Sequence, residues 1–324
     1  MTKKLVEVGL AALRLSLQLM LVLLLIWGLL AASPLDPLNV YLGGNRFGVS
    51  AEQQTVLMQQ LGLNLSAGER LCDWLAAASQ GYLGYSALFH QDVSQVIAER
   101  LPLSVLLMSL AWLGSLVLGY LLGLVAALKQ GSVFDVCIRR AAWALSAIPP
   151  FWLGMLFISL FAVGLHWLPV CCAAPPGMSF SEQPLSGQLA HLILPVLTLT
   201  LVHMSPVILH TREKVLDVLA SDYVAYARMH GDNQARVVSF HVIPNSLVPA
   251  VVLQLASFAE LFGGSVLAET LFSFPGIGQA LVTAAMAQDT ALLMAGTLIS
   301  ALLVFTGNAA ANLIAERLLA GEEG

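Results

Sequence analysis

Charge is what this sequence has least of. Of 324 residues only 10% are Asp, Glu, Lys or Arg, while 58% are hydrophobic and mean hydropathy is +0.83. A soluble domain carries about 25% charged residues, so a single soluble core is excluded. Several uninterrupted apolar runs reach the ~20 residues that cross a ~30 Å hydrocarbon core as a helix. The short alternating segments of a membrane β-barrel are absent. So is any GxxxxGK[ST] phosphate loop, and this chain cannot itself cradle ATP. Cysteine is sparse, at four.

Six spans are predicted: about Leu10–Ala32, Leu103–Leu128, Ala141–Leu165, Leu192–Leu209, Leu247–Leu271 and Ala291–Ile314. Residues 1–32 form the tail and first span, 33–102 a long extracytoplasmic loop region, 103–319 a five-helix core and 320–324 a short tail. Lys3 and Lys4 precede the first run as they would in a signal peptide, but the run exceeds a 7–15-residue signal core and reads as a retained anchor. All basic residues except Arg46, Arg70 and Arg100 fall on one side of this topology. By the positive-inside rule both termini are cytoplasmic in a multi-pass membrane protein. Cys72, Cys171 and Cys172 then lie outside and Cys137 inside, leaving an external disulfide open; the adjacent Cys171 and Cys172 cannot easily bridge each other. With His166 they contain soft-metal ligand types but no ligand spacing, so a structural role is preferred.

One cytoplasmic stretch breaks the apolar pattern. Between Arg212 and Asn245 the chain is too long for a tight turn and reads as two helical pieces. The first covers roughly Leu216–Met229, with Leu216, Leu219, Val224 and Ala227 at helical intervals. Gly231, followed by Asp232 and Asn233, tolerates positive φ and ends it. The second starts near Asp232 and runs through Val237, Val238 and Phe240 toward Pro244. The product is a helix-turn-helix knob suited to a groove on a soluble partner; the plainer reading is a solvated loop.

"DYVAYARMHG" followed by "HVIPN" resembles the coupling motif, the EAA loop, of permease subunits of ATP-binding-cassette importers. Ala227, Gly231 and Pro244 sit at matching positions, and His241 and Asn245 match the dipeptide, oligopeptide and nickel branch. Ser239 and Phe240 replace its usual more basic approach to the histidine. The similarity continues in "LGLN" (61–64), "GYLGYS" (81–86), "RLPLS" (100–104), "IPPFWLG" (148–154), "HWLPV" (166–170), "HLILP" (191–195) and, most specifically, "AETLFSFPGIGQALVTAAMAQD" (268–289). The ending "LLAGEEG" departs from the family's aspartate-proline-arginine close. The resemblance implies an all-α, six-span, type I importer (MetI-like) permease fold. It also implies a complex with two ATPase subunits holding ATP and magnesium, a second permease and an extracytoplasmic solute-binding protein. This chain would bind no cofactor and be no enzyme. Ala227, Arg228, Gly231, Arg236, His241, Pro244 and Asn245 would make the ATPase contact.

The cargo is approached through polar residues within spans. Glu260, in "SFAELFGG", is expected about 20 Å from the cytoplasmic end of the fifth span, slightly past mid-membrane. A carboxylate there costs roughly 2.5–3.5 kcal/mol on insertion scales, so it is expected to face a pathway or to pair with another span. The fourth span adds His203, Met204 and His210, the two histidines on much the same face. Helix histidines often bond neighbouring backbone, yet carboxylate, imidazole and thioether are ligand types for a divalent transition metal. Glu260, His203 and His210 are the candidate metal ligands, and Glu269 is placed on the pathway with them. "AELFGG" also resembles the "GELIGG" form of the branch's nickel permeases. Nickel or a metal chelate is therefore the favoured cargo, with di- or oligopeptides as the alternative. A membrane enzyme lacks a nucleophile-base spacing, and a secondary transporter lacks inverted repeats and coupling ionisable groups.

Overall fold

Two prolines in succession decide the shape of the third span. In the computed structural model, which describes residues 2–34, 38, 50, 52–53, 58, 64–170 and 180–320, Ile148 (ψ 124°) and Pro149 (ψ 138°) are extended. A residue before proline is pushed out of the helical region, and Val133–Ala147 and Pro150–Gly164 meet at 106°. The expected straight span is thus a bent pair. Cys171, Cys172, Arg46, residues 61–63 and residues 321–324 lie outside the described residues.

In chain order the helices are α1 (Thr2–Ala31), α2 (Ala67–Ser79), α3 (Val93–Leu128), α4 (Val133–Ala147), α5 (Pro150–Phe157, continued by a π turn), α6 (Leu185–Leu219) and α7 (Asp222–Met229). They continue with α8 (Gln234–Val237), a π turn at Val238–Val242, α9 (Ile243–Ala256), α10 (Phe258–Leu271), α11 (Ile277–Met286) and α12 (Thr290–Ala320). Strands β1 (Tyr85–Ser86) and β2 (Gln91–Asp92) pair antiparallel, Tyr85 opposite Asp92. Among the described residues five helices are long and apolar enough to cross a membrane: Leu13–Ala31, Val93–Leu128, Leu185–Leu219, Gln234–Ala256 and Thr290–Leu318, or six spans with the bent pair. This is an all-α membrane permease fold. Four of the predicted spans are longer as helices, because polar first and last turns such as "VSQVIAER" continue the helix beyond the hydrocarbon-length run.

The chain divides into two compact units, Met1–Leu103 with Gly276–Phe305, and Ser104–Pro275 with Thr306–Gly324. In the first, Val93, Val96 and Ile97 pack on Ile277, Ala284 and Leu292, while Leu23 and Trp27 close on Met294. Asp289 ties the hairpin down: its carboxylate accepts from Ser86 Oγ (2.6 Å), Leu88 N–H (3.1 Å) and, as the N-cap of α12, Leu292 N–H (3.1 Å). Arg100 donates to Gln279 Oε1 (2.9 Å) and lies over the Phe89 ring. Helix α2 starts in a capping box, in which the Ser66 hydroxyl and its N–H hold the Glu69 carboxyl below the usual glutamate range.

In the second unit α3 and α6 meet at backbone contact. A β-carbon on Gly119 would lie 2.8 Å from Val207 Cβ, and one on Gly123 2.7 Å from the Ile208 carbonyl. Small residues permit that approach between spans, where apolar burial supplies little drive. Ala142, Met204 and Ile208 form one buried cluster there. Ala127, Val215, Val218, Val224, Val237 and Val242 form another, beneath the knob.

Candidate functional site: a coupling knob and a broken span

The knob is two short helices across a glycine turn. Helix α6 ends at Leu219, so Leu216–Leu219 belong to it, and α7 starts afresh after Ser221, whose hydroxyl donates to the Val218 carbonyl (2.6 Å). Gly231, at φ +94°, closes α7 in a Schellman arrangement: Gly231 N–H donates to the Arg228 carbonyl (3.1 Å) and Asp232 N–H to the Ala227 carbonyl (3.1 Å). Asn233 then caps α8 by accepting from Arg236 N–H (2.9 Å). Val224 and Ala227 from one arm and Val237 from the other are buried, so the apolar pattern seats both arms on the cluster below.

The other predicted coupling residues decorate this turn. Arg236 pairs with Asp232 (3.2 Å), and His241 Nε2 lies 4.0 Å from the same carboxylate. Asn245 Nδ2 donates to the His241 carbonyl (2.7 Å), while Arg228 and Pro244 are exposed. Pro244 opens α9, where its missing N–H costs little, after the π turn has absorbed the misfit. The chain therefore runs helically from Gln234 to Ala256. Not among the predicted coupling residues are Tyr223, Tyr226, Met229 and Phe240, 45–77% exposed on the same knob. Its outer surface is more aromatic than basic; the signal was large apolar residues at polar-face positions. Also missed is Asp135, 1% exposed, which accepts from Arg212 Nε (2.6 Å) and Nη2 (3.0 Å) and from Arg139 Nε (3.1 Å) and fastens α4 to α6.

The intramembrane candidates separate. The fifth predicted span is two helices: Ser257 (φ −85°, ψ 9°) interrupts it, so Glu260 stands in the first turn of α10, exposed, rather than midway along a straight rod. His203 is buried and its Nδ1 lies 2.9 Å from the Leu199 carbonyl. His210, ~10 Å further along α6, is exposed. Met204 packs with Ala142 and Ile208 as core, and Glu269 is fully buried; neither lies on an open surface. Among the described residues no three His, Cys, Asp or Glu side chains stand together as a metal site. The expected Glu260, His203 and His210 set is not assembled, because one turn-period face does not give equal burial along a packed helix.

A long α6, a knob after it and a broken span beyond define a membrane transport permease. The family model described as "binding-protein-dependent transport system inner membrane component" matches residues 119–320. The di/tripeptide transport system permease protein DppB of Pseudomonas aeruginosa (strain UCBPP-PA14) is 32% identical over 302 residues, covering 89% of each chain. The oligopeptide transport system permease protein AppB of Bacillus subtilis (strain 168) is 31% identical over 287 residues, 88% of this chain and 89% of that one. An inward-facing structure of the MetNI methionine ABC transporter shares the fold at a TM-score of 0.52 and 14% identity, over 69% of this chain and 97% of that one. The chain belongs to the binding-protein-dependent inner-membrane components, in the dipeptide/oligopeptide branch of ATP-binding-cassette importer permeases.

Proposed function

We propose that this chain is the transmembrane permease subunit of an importer that carries di- or oligopeptides. Two ATPase subunits supply the energy, an extracytoplasmic binding protein delivers cargo, and a second permease completes the pathway. The reading rests on its relatives, which bear peptide names, and metal import loses its support on two counts. The relatives named above carry peptide transport names, and the described residues assemble no group of three metal-binding side chains. A stripped divalent ion needs more ligands than Glu260 or His203 offers singly.

The observation that carries the mechanism is the Gly231 turn. ATP-driven closure of the ATPase pair acts on α7, Arg228, Arg236, His241, Pro244 and Asn245, and the docked knob must bind its partner differently in the two states, since equal binding shifts nothing. With both termini and the knob on the cytoplasmic side, the protein is a multi-pass component of the inner membrane. The test is uptake of a radiolabelled dipeptide and of radiolabelled nickel in cells with and without the gene. Loss of peptide uptake alone is the expected result; loss of nickel uptake with peptide uptake intact overturns the assignment.

A further inference from the structure

The break in the fifth span is built rather than frayed. Trp112 Nε1 donates to the Gln254 carbonyl (3.2 Å), and the Ser257 hydroxyl donates to the same oxygen (2.9 Å). The Gln254 amide returns the contact, donating to Ser115 Oγ (2.6 Å) and to the Trp112 carbonyl (3.3 Å). Helix α9 thus ends inside the unit with the negative end of its dipole at the break. Glu260 follows within one turn, and among the described residues it makes no hydrogen bond or ion pair.

His203 supplies an independent observation. Its bond to the Leu199 carbonyl places a proton on Nδ1, which in the neutral imidazole leaves Nε2 an acceptor. That nitrogen is buried without a partner, in a side chain 8% exposed. The ring lies against Gly264, where a β-carbon would sit 3.2 Å from Cε1 and 3.8 Å from Nε2. Gly264 follows Glu260 by one helical turn on the same face of α10. The carboxylate and the imidazole therefore border one seam between α6 and α10.

The Glu260 carboxylate and the His203 Nε2 atom both accept. Such a set selects a cationic donor, and two side chains suit a primary ammonium rather than a desolvated divalent ion. We infer that the seam receives the ammonium group of the cargo, which on the peptide reading is the free amino terminus. The inference rests on that reading.

The test uses the full complex with its ATPases and binding protein, reconstituted in vesicles, and labelled dialanine as cargo. Glu260→Gln lowers uptake per ATP hydrolysed by at least about tenfold, the worth of a charged hydrogen bond, while the second permease and the ATPases still co-purify. Glu260→Asp recovers part of the loss, and His203→Phe, which keeps a ring but removes Nε2, lowers uptake in the same direction. Wild-type uptake by Glu260→Gln overturns the site alone. Loss of the second permease from that variant also overturns it and makes Glu260 an interface residue. A wild-type complex that imports no dialanine overturns the peptide reading and the ammonium with it.

Discussion

Replacing Gly231 isolates the turn from everything around it. A β-carbon there would meet nothing within 4 Å, so packing contributes nothing and the backbone alone sets the cost. At φ +94° an alanine costs about 1–2 kcal/mol. Asparagine, which tolerates this region, costs less, and a β-branched valine costs more. Proline is worst: its φ is fixed near −65° and it deletes the bond from Gly231 N–H to Arg228. One to two kcal/mol lowers the ratio of formed to unformed turn by about 5–30-fold. Val224 and Val237, both fully buried, keep the two arms seated, so the loss falls on the exposed tip and not on the fold of the unit. The assay is dipeptide uptake per ATP hydrolysed by the reconstituted complex. The expected order of coupling is Gly, Asn, Ala, Val, Pro. A valine variant with the wild-type ratio, or an asparagine variant as poor as valine, refutes the reasoning.

Asp135→Asn removes the charge from a buried carboxylate that holds two arginines. Breaking one side of such a pair costs about 3–5 kcal/mol; the melting temperature of the purified complex should fall, and Arg212→Gln on top should add less than it does alone. Trp112→Phe removes one donor from the Gln254 carbonyl at about 1–3 kcal/mol for an acceptor left partly unsatisfied, and faster exchange of the amides around Ser257 should report it. Phe240→Ala and Met229→Ala strip exposed side chains, so melting should shift by less than about 0.5 kcal/mol-equivalent while ATPase co-purification weakens.

Much of the fold was legible because lipid imposes a length rule that composition obeys. The glycine turn was legible for a local reason: positive φ is a property of one residue and its neighbours. Two other features were not. The Ser257 break has no proline or glycine at its centre; it is held through Gln254 by Trp112 and Ser115, 142 and 139 residues from that glutamine in sequence, and no window along the chain contains both sides of those bonds. The Asp135 to Arg212 pair spans 77 residues for the same reason. The bend after Ile148 differs, since Pro149 and Pro150 stood in a quoted motif, and hydropathy averaging passed over them. His203 and His210 show the limit of a helical wheel, because equal angle gave one buried ring and one exposed ring.

On the coupling reading proposed above, these features give displacement of the knob a mechanical path. From Gln234 to Ala256 the chain is helical without interruption, about 35 Å at 1.5 Å per residue. A helix of that length passes on displacement along its axis until it meets a break, and the break it meets is at Ser257. There the Gln254 contacts hold the end of the rod to α3, through Trp112 and Ser115, while α10 continues beyond it. Sliding α9 past α3 would leave the Trp112 and Gln254 groups unpaired, whereas turning at Ser257 strains one already non-helical residue, so the angle to α10 is the cheaper change. Glu260 sits one turn past that joint, so the same angle that responds to the knob sets where its carboxylate stands.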